Sequence, residues 1–427
     1  MRQVLILPTL VLVLLLSACG GGGSATTPSL QITLNAPSGT TPSVVVLGPG
    51  NFKQTVSASI TISPLTAGNY HLLPQSYRSK TGSIADTTLS ADPQTIAVNG
   101  SSQATITYAQ APGSGKLWTG MDFPNSGEPL ILGFDTANLG SSNTNLSASI
   151  RLGQDASVDG PYDLAFDGGG NLWIVSRRQN QLVQYSVSQL GSSNPSLKPF
   201  RTLKSADFDG PQGLAFDSEG GLWVSNFGGG KVVHFSAYGL ASATQTLSAD
   251  RTLQGFFNPA GMAFDSTDNL WIADGSSSRE QVFGFSPSKI ASSGSPSPDF
   301  TITGGTATTP IGLKELAFDP SGNLWVSTNT HLFRYAKNTL SDPAAKPNIQ
   351  LSPSTTATNV FAGLAFDNAG NLWATNFDGA TSTLMMFAPA NQVTGKVTPD
   401  RSIGSPDLLH PAYGLAFAPA ASNLPMR

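Results

Sequence analysis

Two carboxylates stand at equivalent positions of a short repeated segment. The repeat resembles Gly-Leu-Ala-Phe-Asp, and the residue before its Leu is Asp163 in one copy and Glu315 in another. If the repeats form a ring of six units, these two copies are the second and the fifth, and they face each other. Paired carboxylates can bind a cation or a basic ligand. Solvated carboxylates without a role are the alternative.

A second set of oxygen-bearing side chains follows the tryptophan of each repeat. The residue three positions after it is Asn226, Asp274 or Asn376 in three of the copies. These side chains could project oxygens near one face of the ring and line a central channel together with Asp163 and Glu315. The alternative is that each side chain caps the turn that leads into the next strand.

Histidine and cysteine are scarce, which limits the kinds of metal site and nucleophilic active site that the chain could form. Cys19 is the only cysteine, so the folded body has no internal disulfide and no cysteine-based metal or nucleophile site. No Gly-x-Ser-x-Gly elbow is placed on a strand–turn–helix. We expect surface or packing roles for the four histidines, which are His71, His234, His331 and His410.

The N-terminus has the pattern of a secretion signal. Arg2 precedes an apolar run that is too short to span a bilayer comfortably, and residues 1–18 are predicted to be a signal peptide. The segment Leu16-Ser17-Ala18-Cys19 resembles a bacterial lipobox. The resemblance implies lipidation at Cys19 and attachment to a membrane of the bacterial cell envelope, on its periplasmic or cell-surface side. The glycine run after Cys19 and the segment "SATTPS" predict a flexible Gly/Ser/Thr tether over 19–28.

The composition indicates turn-rich, all-β structure. Charged residues make up only 11% of the chain, which contains 45 Gly and 30 Pro. The formal net charge of −4 gives no basic footprint, and we expect no nucleic-acid partner.

Five near-copies of one hairpin, such as "FDPSGNLWVS" at residues 318–327, organise the larger part of the chain. Six tryptophans recur at intervals of 48 to 55 residues, a period typical of four-stranded propeller blades. The first tryptophan segment lacks the preceding strand, and the last "GLAFA" lacks a following one. We therefore predict a six-bladed β-propeller over residues 113–420, closed by the C-terminal strand.

The hairpin turn has its own chemistry. The Asp after Phe can accept hydrogen bonds from backbone N–H groups, and the Gly three residues later can take a positive φ. Asp268 replaces that Gly in one copy and tolerates the same geometry. We expect the tryptophans to pack between blades.

Residues 29–110 form a separate pattern of short alternating strands and turn clusters. This pattern predicts a small antiparallel β-sandwich that serves as a spacer. The segment "SPLTAGNYHL" resembles the PEGA-like and carboxypeptidase-regulatory-like β-sandwiches.

The segments "GPQGLAFDSEGGLWVSN" and "NPAGMAFDSTDNLWIAD" resemble the NHL-repeat and gluconolactonase-like six-bladed propellers. The resemblance implies metal ligands at the head of the innermost strands. The matching residues here lack carboxylates, and Lys314 would repel a cation. They are Tyr162, Gln212, Ala260, Lys314, Ala362 and Ala412, with Tyr413 as the alternative for the last.

The sequence therefore favours a lipid-anchored, non-enzymatic binding or scaffolding module for a protein, peptide or glycan. The alternative is a metal-dependent lactonase-like hydrolase or a streptogramin-lyase-like enzyme with its site at the propeller channel. No cofactor is predicted for the binding module, while a divalent cation such as Ca²⁺ would accompany the alternative.

Overall fold

The structure is a computed structural model, and within its described residues the chain forms 36 β-strands with a few short helices. The predicted all-β class is confirmed. No helix in the described part is long and apolar enough to cross a bilayer. Cys19, the predicted signal peptide and most of the predicted tether lie outside the described residues. The described ranges are 27–78, 88–111, 114–122, 130–154, 158–276, 279–303, 312–354 and 360–418.

The N-terminal region, residues 29–110, contains a sheet of order β4-β1-β9, a sheet of order β3-β2-β5-β8 and a small sheet β10-β7-β6. Leu30 and Ile32 of the first sheet share one apolar cluster with Val44 and Leu72 of the second. Because successive strand residues point to opposite faces, the other face of the second sheet is left for a different contact. The strands are β1 (Ser29–Asn35), β2 (Ser43–Gly48), β3 (Phe52–Val56), β4 (Ile60–Ile62), β5 (Gly68–Gln75), β6 (Tyr77–Arg78), β7 (Thr88–Ser90), β8 (Gln94–Val98), β9 (Ser101–Thr107) and β10 (Ala109–Gln110).

The remaining strands form six antiparallel four-stranded sheets, two of which carry a fifth, parallel strand. The strands are β11 (Lys116–Met121), β12 (Ile131–Asp135), β13 (Ile150–Leu152), β14 (Pro161–Phe166), β15 (Leu172–Ser176), β16 (Gln181–Tyr185), β17 (Arg201–Ser205), β18 (Pro211–Phe216), β19 (Leu222–Asn226), β20 (Lys231–Phe235), β21 (Thr246–Leu247), β22 (Arg251–Gln254), β23 (Pro259–Phe264), β24 (Leu270–Ser276), β25 (Arg279–Phe285), β26 (Phe300–Thr303), β27 (Leu316–Phe318), β28 (Leu324–Ser327), β29 (Leu332–Tyr335), β30 (Ile349–Pro353), β31 (Val360–Phe366), β32 (Leu372–Phe377), β33 (Ser382–Phe387), β34 (Gly395–Val397), β35 (Arg401–Gly404) and β36 (Ala412–Ala418).

We call these sheets blades 1 to 6. Blade 1 has the order β36-β11-β12-β13, blade 2 β14-β15-β16-β17-β21, blade 3 β18-β19-β20-β22, blade 4 β23-β24-β25-β26, blade 5 β27-β28-β29-β30-β34, and blade 6 β31-β32-β33-β35. The innermost strands β36, β14, β18, β23, β27 and β31 contact one another in that order, and β31 contacts β36 again. The sheets therefore form a closed ring, which is a β-propeller.

Short helices occupy some of the connections between strands. The α-helix α1 follows β20, and its first turn is capped by the Ser236 hydroxyl, which accepts from the Gly239 N–H at 3.2 Å. The helix α1 spans Ala237–Ser242, and 3-10 helices span Thr136–Leu139, Arg177–Gln179, Val187–Gly191, Lys337–Thr339 and Pro389–Asn391.

The repeated hairpin is held by one aspartate in each of blades 2 to 6. In blade 6, Asp367 Oδ1 accepts from the N–H groups of Ala369 and Asn371, and Oδ2 accepts from the indole Nε1 of Trp373 at 3.0 Å. The indole bond recurs with lengths of 2.9 to 3.2 Å in the pairs Trp173–Asp167, Trp223–Asp217, Trp271–Asp265 and Trp325–Asp319. The predicted positive φ is also found, at +77° for Gly370 and +61° for Asp268. The motif thus orients the tryptophan as well as the turn.

The oriented tryptophans pack between neighbouring blades. Trp173 of blade 2 lies edge-on to Phe216 of blade 3, with ring centroids 6.1 Å apart. Blade 1 is the exception, because Ala418 stands where the aspartate would be. The Nε1 of its Trp118 is buried without a hydrogen-bond partner among the described residues.

The N-terminal region packs onto the hairpin turn of blade 2. The Ser76 N–H donates to the Gly168 carbonyl at 2.6 Å. A Cβ atom at Gly168 would lie 2.3 Å from Gln75 Oε1, and one at Gly169 would lie 3.1 Å from the Pro74 carbonyl oxygen. The turn sequence Gly-Gly-Gly, found in this blade only, provides the space for that contact.

Candidate functional site

The head of each innermost strand lies at one end of the ring. Pro161 at the start of β14 pairs with Ser176 at the end of β15, and the loop before β14 and the loop after β15 therefore share that end. The hairpin turns lie at the opposite end. We call the first end the mouth, and the residues that define it here are Tyr162, Arg177, Phe227, Lys314 and Tyr413.

The space between the heads of the innermost strands is small. Its cavity measures only about 10 Å³, which is room for about one water molecule. This cavity is too small for a ligand larger than water. The cavity is lined by Tyr162, Gln212, Gly213, Gly261, Lys314, Glu315, Ala362, Tyr413 and Gly414.

Two tyrosines and an arginine form a stack at the mouth. The rings of Tyr162 and Tyr413 are 4.2 Å apart and nearly parallel, at 15°. The Arg177 guanidinium lies 4.8 Å from the centroid of Tyr162 and 5.1 Å from that of Phe227, so it is held between two aromatic rings. Burial raises the pKa of Tyr162 and of Tyr413, and the two phenols, which share a hydrogen bond, are both neutral near neutral pH.

The basic side chains at the mouth differ in their ion pairs. Arg178 forms ion pairs with Asp122 at 2.5 Å and with Asp159 at 3.3 Å. In contrast, no carboxylate of the described residues lies within 4.0 Å of the charged groups of Arg177 or Lys314. Burial lowers the pKa of Lys314, and the Arg177 charge lowers it further, while Glu280 raises it. Two cations are thus available to a ligand.

Gln212 adds an acceptor that lacks a partner. Its side chain is 3% exposed, and its Oε1 is buried with no hydrogen-bond partner among the described residues. A buried acceptor of this kind costs about 1–3 kcal/mol unless a donor reaches it. The small cavity beside it has room for a water that could supply the donor.

The two carboxylates singled out in the sequence bind backbone amides. Asp163 Oδ1 accepts from the Leu164 N–H at 2.8 Å, and its Oδ2 accepts from the Leu214 N–H of blade 3 at 2.9 Å. Glu315 lines the central cavity, and its Oε1 accepts from the Leu316 N–H at 3.0 Å. Asp163 therefore joins the innermost strands of two neighbouring blades.

Side chains three residues after the tryptophans accept hydrogen bonds from the loop that precedes the first strand of the same blade. Asn226 Oδ1 accepts from the Asp209 N–H at 2.8 Å. Asp274 accepts from the Asn258 N–H at 2.8 Å and from the preceding N–H group. These side chains thus cap the loop before the first strand of the blade. The cap considered from the sequence lies at a different place, the turn that leads into the third strand. The Asn376 Oδ1 is buried without a partner among the described residues.

Sequence reasoning missed Arg177 and Phe227. Each stands four residues after the tryptophan of its blade, directly after the position that was singled out. Because successive strand residues point to opposite sides, the next residue could reach the mouth when the preceding one does not. The corresponding residues of all six blades are Asp122, Arg177, Phe227, Gly275, Asn329 and Phe377.

The donor set at the mouth does not suit the calcium ion that the resemblance implies. Hard cations prefer carboxylate and carbonyl oxygens, but Tyr162, Lys314 and Ala362 occupy positions where such ligands would stand. The nearby Arg177 adds a second positive charge. No group of three or more His, Cys, Asp or Glu side chains suited to a metal ion occurs among the described residues.

Comparisons with known proteins give similarities of structure only. No protein-family model matches the sequence, and no curated protein matches it. A streptogramin B lyase structure is 14% identical, with a TM-score of 0.40 over 58% of this chain and 69% of that chain. A putative gluconolactonase is 19% identical, with a TM-score of 0.36 over 57% and 82%. A protein of unknown function from Bacteroides caccae is 9% identical, with a TM-score of 0.44 over 68% and 98%. The propeller assignment rests on the ring of sheets itself.

Proposed function

We propose that this protein is a non-enzymatic binding module that holds a carboxylate-bearing peptide or glycan at the mouth of its propeller. The observation that carries the proposal is Arg177, whose guanidinium lies between Tyr162 and Phe227 without a carboxylate partner among the described residues. A stacked guanidinium keeps its edge free, and that edge carries N–H donors in the geometry that a carboxylate accepts.

The surroundings of Arg177 favour an anionic ligand over a cationic one. Lys314 brings a second positive charge, and one of the two hydrogen-bonded phenols, Tyr162 or Tyr413, still has its O–H for a ligand. Because the two rings also fix the Arg177 side chain in advance, little side-chain entropy is lost when the ligand binds. The raised pKa values of the phenols disfavour a role as bases near neutral pH.

The binding proposal is tested with two defined probes, hexaglutamate and trigalacturonate, titrated calorimetrically into the protein. We expect at least one probe to bind and Arg177→Gln to weaken that binding tenfold or more. The matched control is Lys337→Gln, which removes the same charge beside the hairpin turn of blade 5, at the opposite end of the ring. Absence of binding by both probes at millimolar concentration, or equal weakening by the control, would contradict the proposal.

The proposal includes lipid anchoring through Cys19 in the bacterial cell envelope, on the periplasmic or cell-surface side. It rests on the lipobox-like sequence before Cys19. Mass spectrometry of the protein purified from cells should find the N-terminus at Cys19 with added acyl groups, and Cys19→Ser should abolish them. An unmodified Cys19 in the cell-derived protein would rule out the anchor.

A further inference from the structure

A second cavity lies at the end of the ring opposite the mouth. It occupies the space between the N-terminal region and blades 2 and 3, and it measures about 650 Å³. Cavities that hold small organic ligands usually fall between about 300 and 1,000 Å³. We call it the interdomain cleft, and it shares no lining residue with the channel cavity described above.

One wall of the interdomain cleft is the outer face of the sheet β3-β2-β5-β8. Residues there alternate with those of the apolar cluster, so the face presents hydroxyl and amide groups beside a few apolar side chains. The polar members are Thr55, Asn69 and Thr95. The wall is a sheet face and not a strand edge. It therefore presents side chains to a ligand, and not a row of unpaired backbone groups.

The opposite wall carries two exposed aromatic rings. Phe200 is 52% exposed, and Tyr238 of α1 is 38% exposed. Both line the same cavity, and aromatic side chains are a common lining of ligand-binding cavities. The Arg201 guanidinium, next to Phe200, is held in place by Gln184 Oε1 at 2.8 Å and by the Leu240 carbonyl at 2.6 Å.

His71 forms part of the sheet wall and has an unused polar atom. The side chain is 3% exposed, and its Nδ1 is 3.0 Å from Thr95 Oγ1. Its Nε2 is buried with no hydrogen-bond partner among the described residues, and the ring meets Tyr238 edge-on at 5.3 Å. Burial lowers the pKa of His71, and the Arg201 charge lowers it further, so the imidazole is neutral near neutral pH.

The charged side chains that line the interdomain cleft already form ion pairs or hydrogen bonds within the protein. Lys53 forms an ion pair with Glu219 across the cleft. Arg201 donates to Gln184 and to backbone carbonyls, and Asp167 accepts the hydrogen bonds of its own hairpin turn. What remains for a ligand is neutral: exposed aromatic rings on one side, and hydroxyl and amide groups on the other.

We propose that the interdomain cleft binds a neutral oligosaccharide. A sugar ring has an apolar C–H face that packs on aromatic rings and a rim of hydroxyls that exchange hydrogen bonds with amides and hydroxyls. Phe200 and Tyr238 provide the first kind of contact, and the sheet wall provides the second. The cleft contacts the sugar through neutral groups, in contrast to the cationic mouth, and the two sites are independent.

The test uses saturation-transfer NMR on the full chain with three neutral trisaccharides: cellotriose, maltotriose and chitotriose. We expect transfer to the ring C–H protons of at least one of them, and a loss of tenfold or more in affinity in Phe200→Ala and Tyr238→Ala. The matched control is Phe257→Ala, because Phe257 is equally exposed, at 53%, but lies at the mouth end. Thermal melting checks that each variant is folded.

Two results would overturn the inference. The first is an absence of saturation transfer for all three sugars at millimolar concentration. The second is binding that Phe200→Ala and Tyr238→Ala leave unchanged. Arg177→Gln should not alter trisaccharide binding, so a failure at the interdomain cleft is distinguishable from a failure at the mouth.

Discussion

The hairpin turns of blade 2 and blade 6 share their hydrogen bonds but differ in their surroundings. In blade 2, Asp167 accepts from the N–H groups two and four residues later and from Trp173 Nε1, at 2.9 to 3.0 Å. Asp367 makes the same bonds at the same lengths in blade 6. Of these two turns, the blade 2 turn is the one that contacts the N-terminal region, through Ser76.

The comparison separates two kinds of position in one repeated motif. The aspartate, the tryptophan and the positive-φ glycine maintain the hairpin wherever it occurs. The two residues after the aspartate do not take part through their side chains in these shared bonds, and they are Gly168 and Gly169 in one turn but Asn368 and Ala369 in the other. Those positions can therefore adapt to a neighbouring surface while the blade remains unchanged.

The largest expected effect is removal of the shared aspartate. Asp367→Ala leaves the buried Nε1 of Trp373 and several backbone N–H groups without their acceptor, and it should reduce the free energy of unfolding by about 2–4 kcal/mol. Denaturant unfolding of this variant and of Asp167→Ala should give similar losses. A much smaller loss in blade 2 would show that the packed N-terminal region replaces the missing bonds.

A smaller effect should distinguish the two turns at their glycines. Gly170 and Gly370 have φ values of +87° and +77°, so an alanine at either costs about 1 kcal/mol in backbone strain. A Cβ atom at Gly170 would also lie 2.9 Å from Ser76 Oγ, whereas one at Gly370 meets nothing closer than Pro389 at 3.8 Å. Gly170→Ala should therefore lower the melting temperature more than Gly370→Ala does.

A second substitution tests whether the larger loss of melting temperature in Gly170→Ala comes from the contact with Ser76. Ser76→Gly removes the opposing hydroxyl. Relative to Ser76→Gly alone, the double variant Ser76→Gly/Gly170→Ala should lose no more melting temperature than Gly370→Ala loses relative to the unsubstituted protein. Equal melting temperatures for the two single alanine variants would mean that the contact places no constraint on this turn.

The smallest effect concerns the turn of blade 3, where His234 lies between two carboxylates, Asp217 at 3.1 Å and Asp250 at 2.8 Å. Burial alone would raise the pKa of each aspartate, but the hydrogen bonds to His234 lower it below its usual value. A lowered folded-state pKa contributes stability that is present above the unfolded-state value and is lost as the pH falls through the folded-state value.

On acidification, the variant His234→Gln should therefore unfold at a higher pH than the unsubstituted protein. At neutral pH its free energy of unfolding should change by less than about 1 kcal/mol. Glutamine fits this position, because Gln184 occupies it in blade 2. Acid titration followed by circular dichroism measures the midpoint. An unchanged acid midpoint would show that His234 does not maintain the lowered pKa values.

Repetition made the fold class and the hairpin chemistry predictable. Identical spacing of Asp, Gly and Trp predicted the capped turn and its positive φ, both of which the structure contains. The bond from Trp373 to Asp367 was not predicted, because it depends on side-chain directions across the hairpin. The carboxylate of Asp163 was predicted to face a channel, but its bond to the Leu214 N–H depends on how closely two blades approach.

The candidate site was harder to predict because its residues do not repeat. Arg177 and Phe227 occupy the same position in two blades, yet they act together only because the ring brings the two loops side by side. The interdomain cleft depends on the packing of two regions that are far apart in the chain. No local pattern around Phe200 or Tyr238 indicates that packing.

The closing blade has a consequence for synthesis of the chain. Strand β36 comes from residues 412–418, and it pairs with β11 near the start of the ring. During translation, blades 2 to 6 and the three other strands of blade 1 cannot close into a ring until nearly the whole polypeptide has left the ribosome. Until then β11 presents an open edge, which favours pairing with other chains. A chain that ends a few residues before Ala412 would thus lose the ring and not merely its last strand.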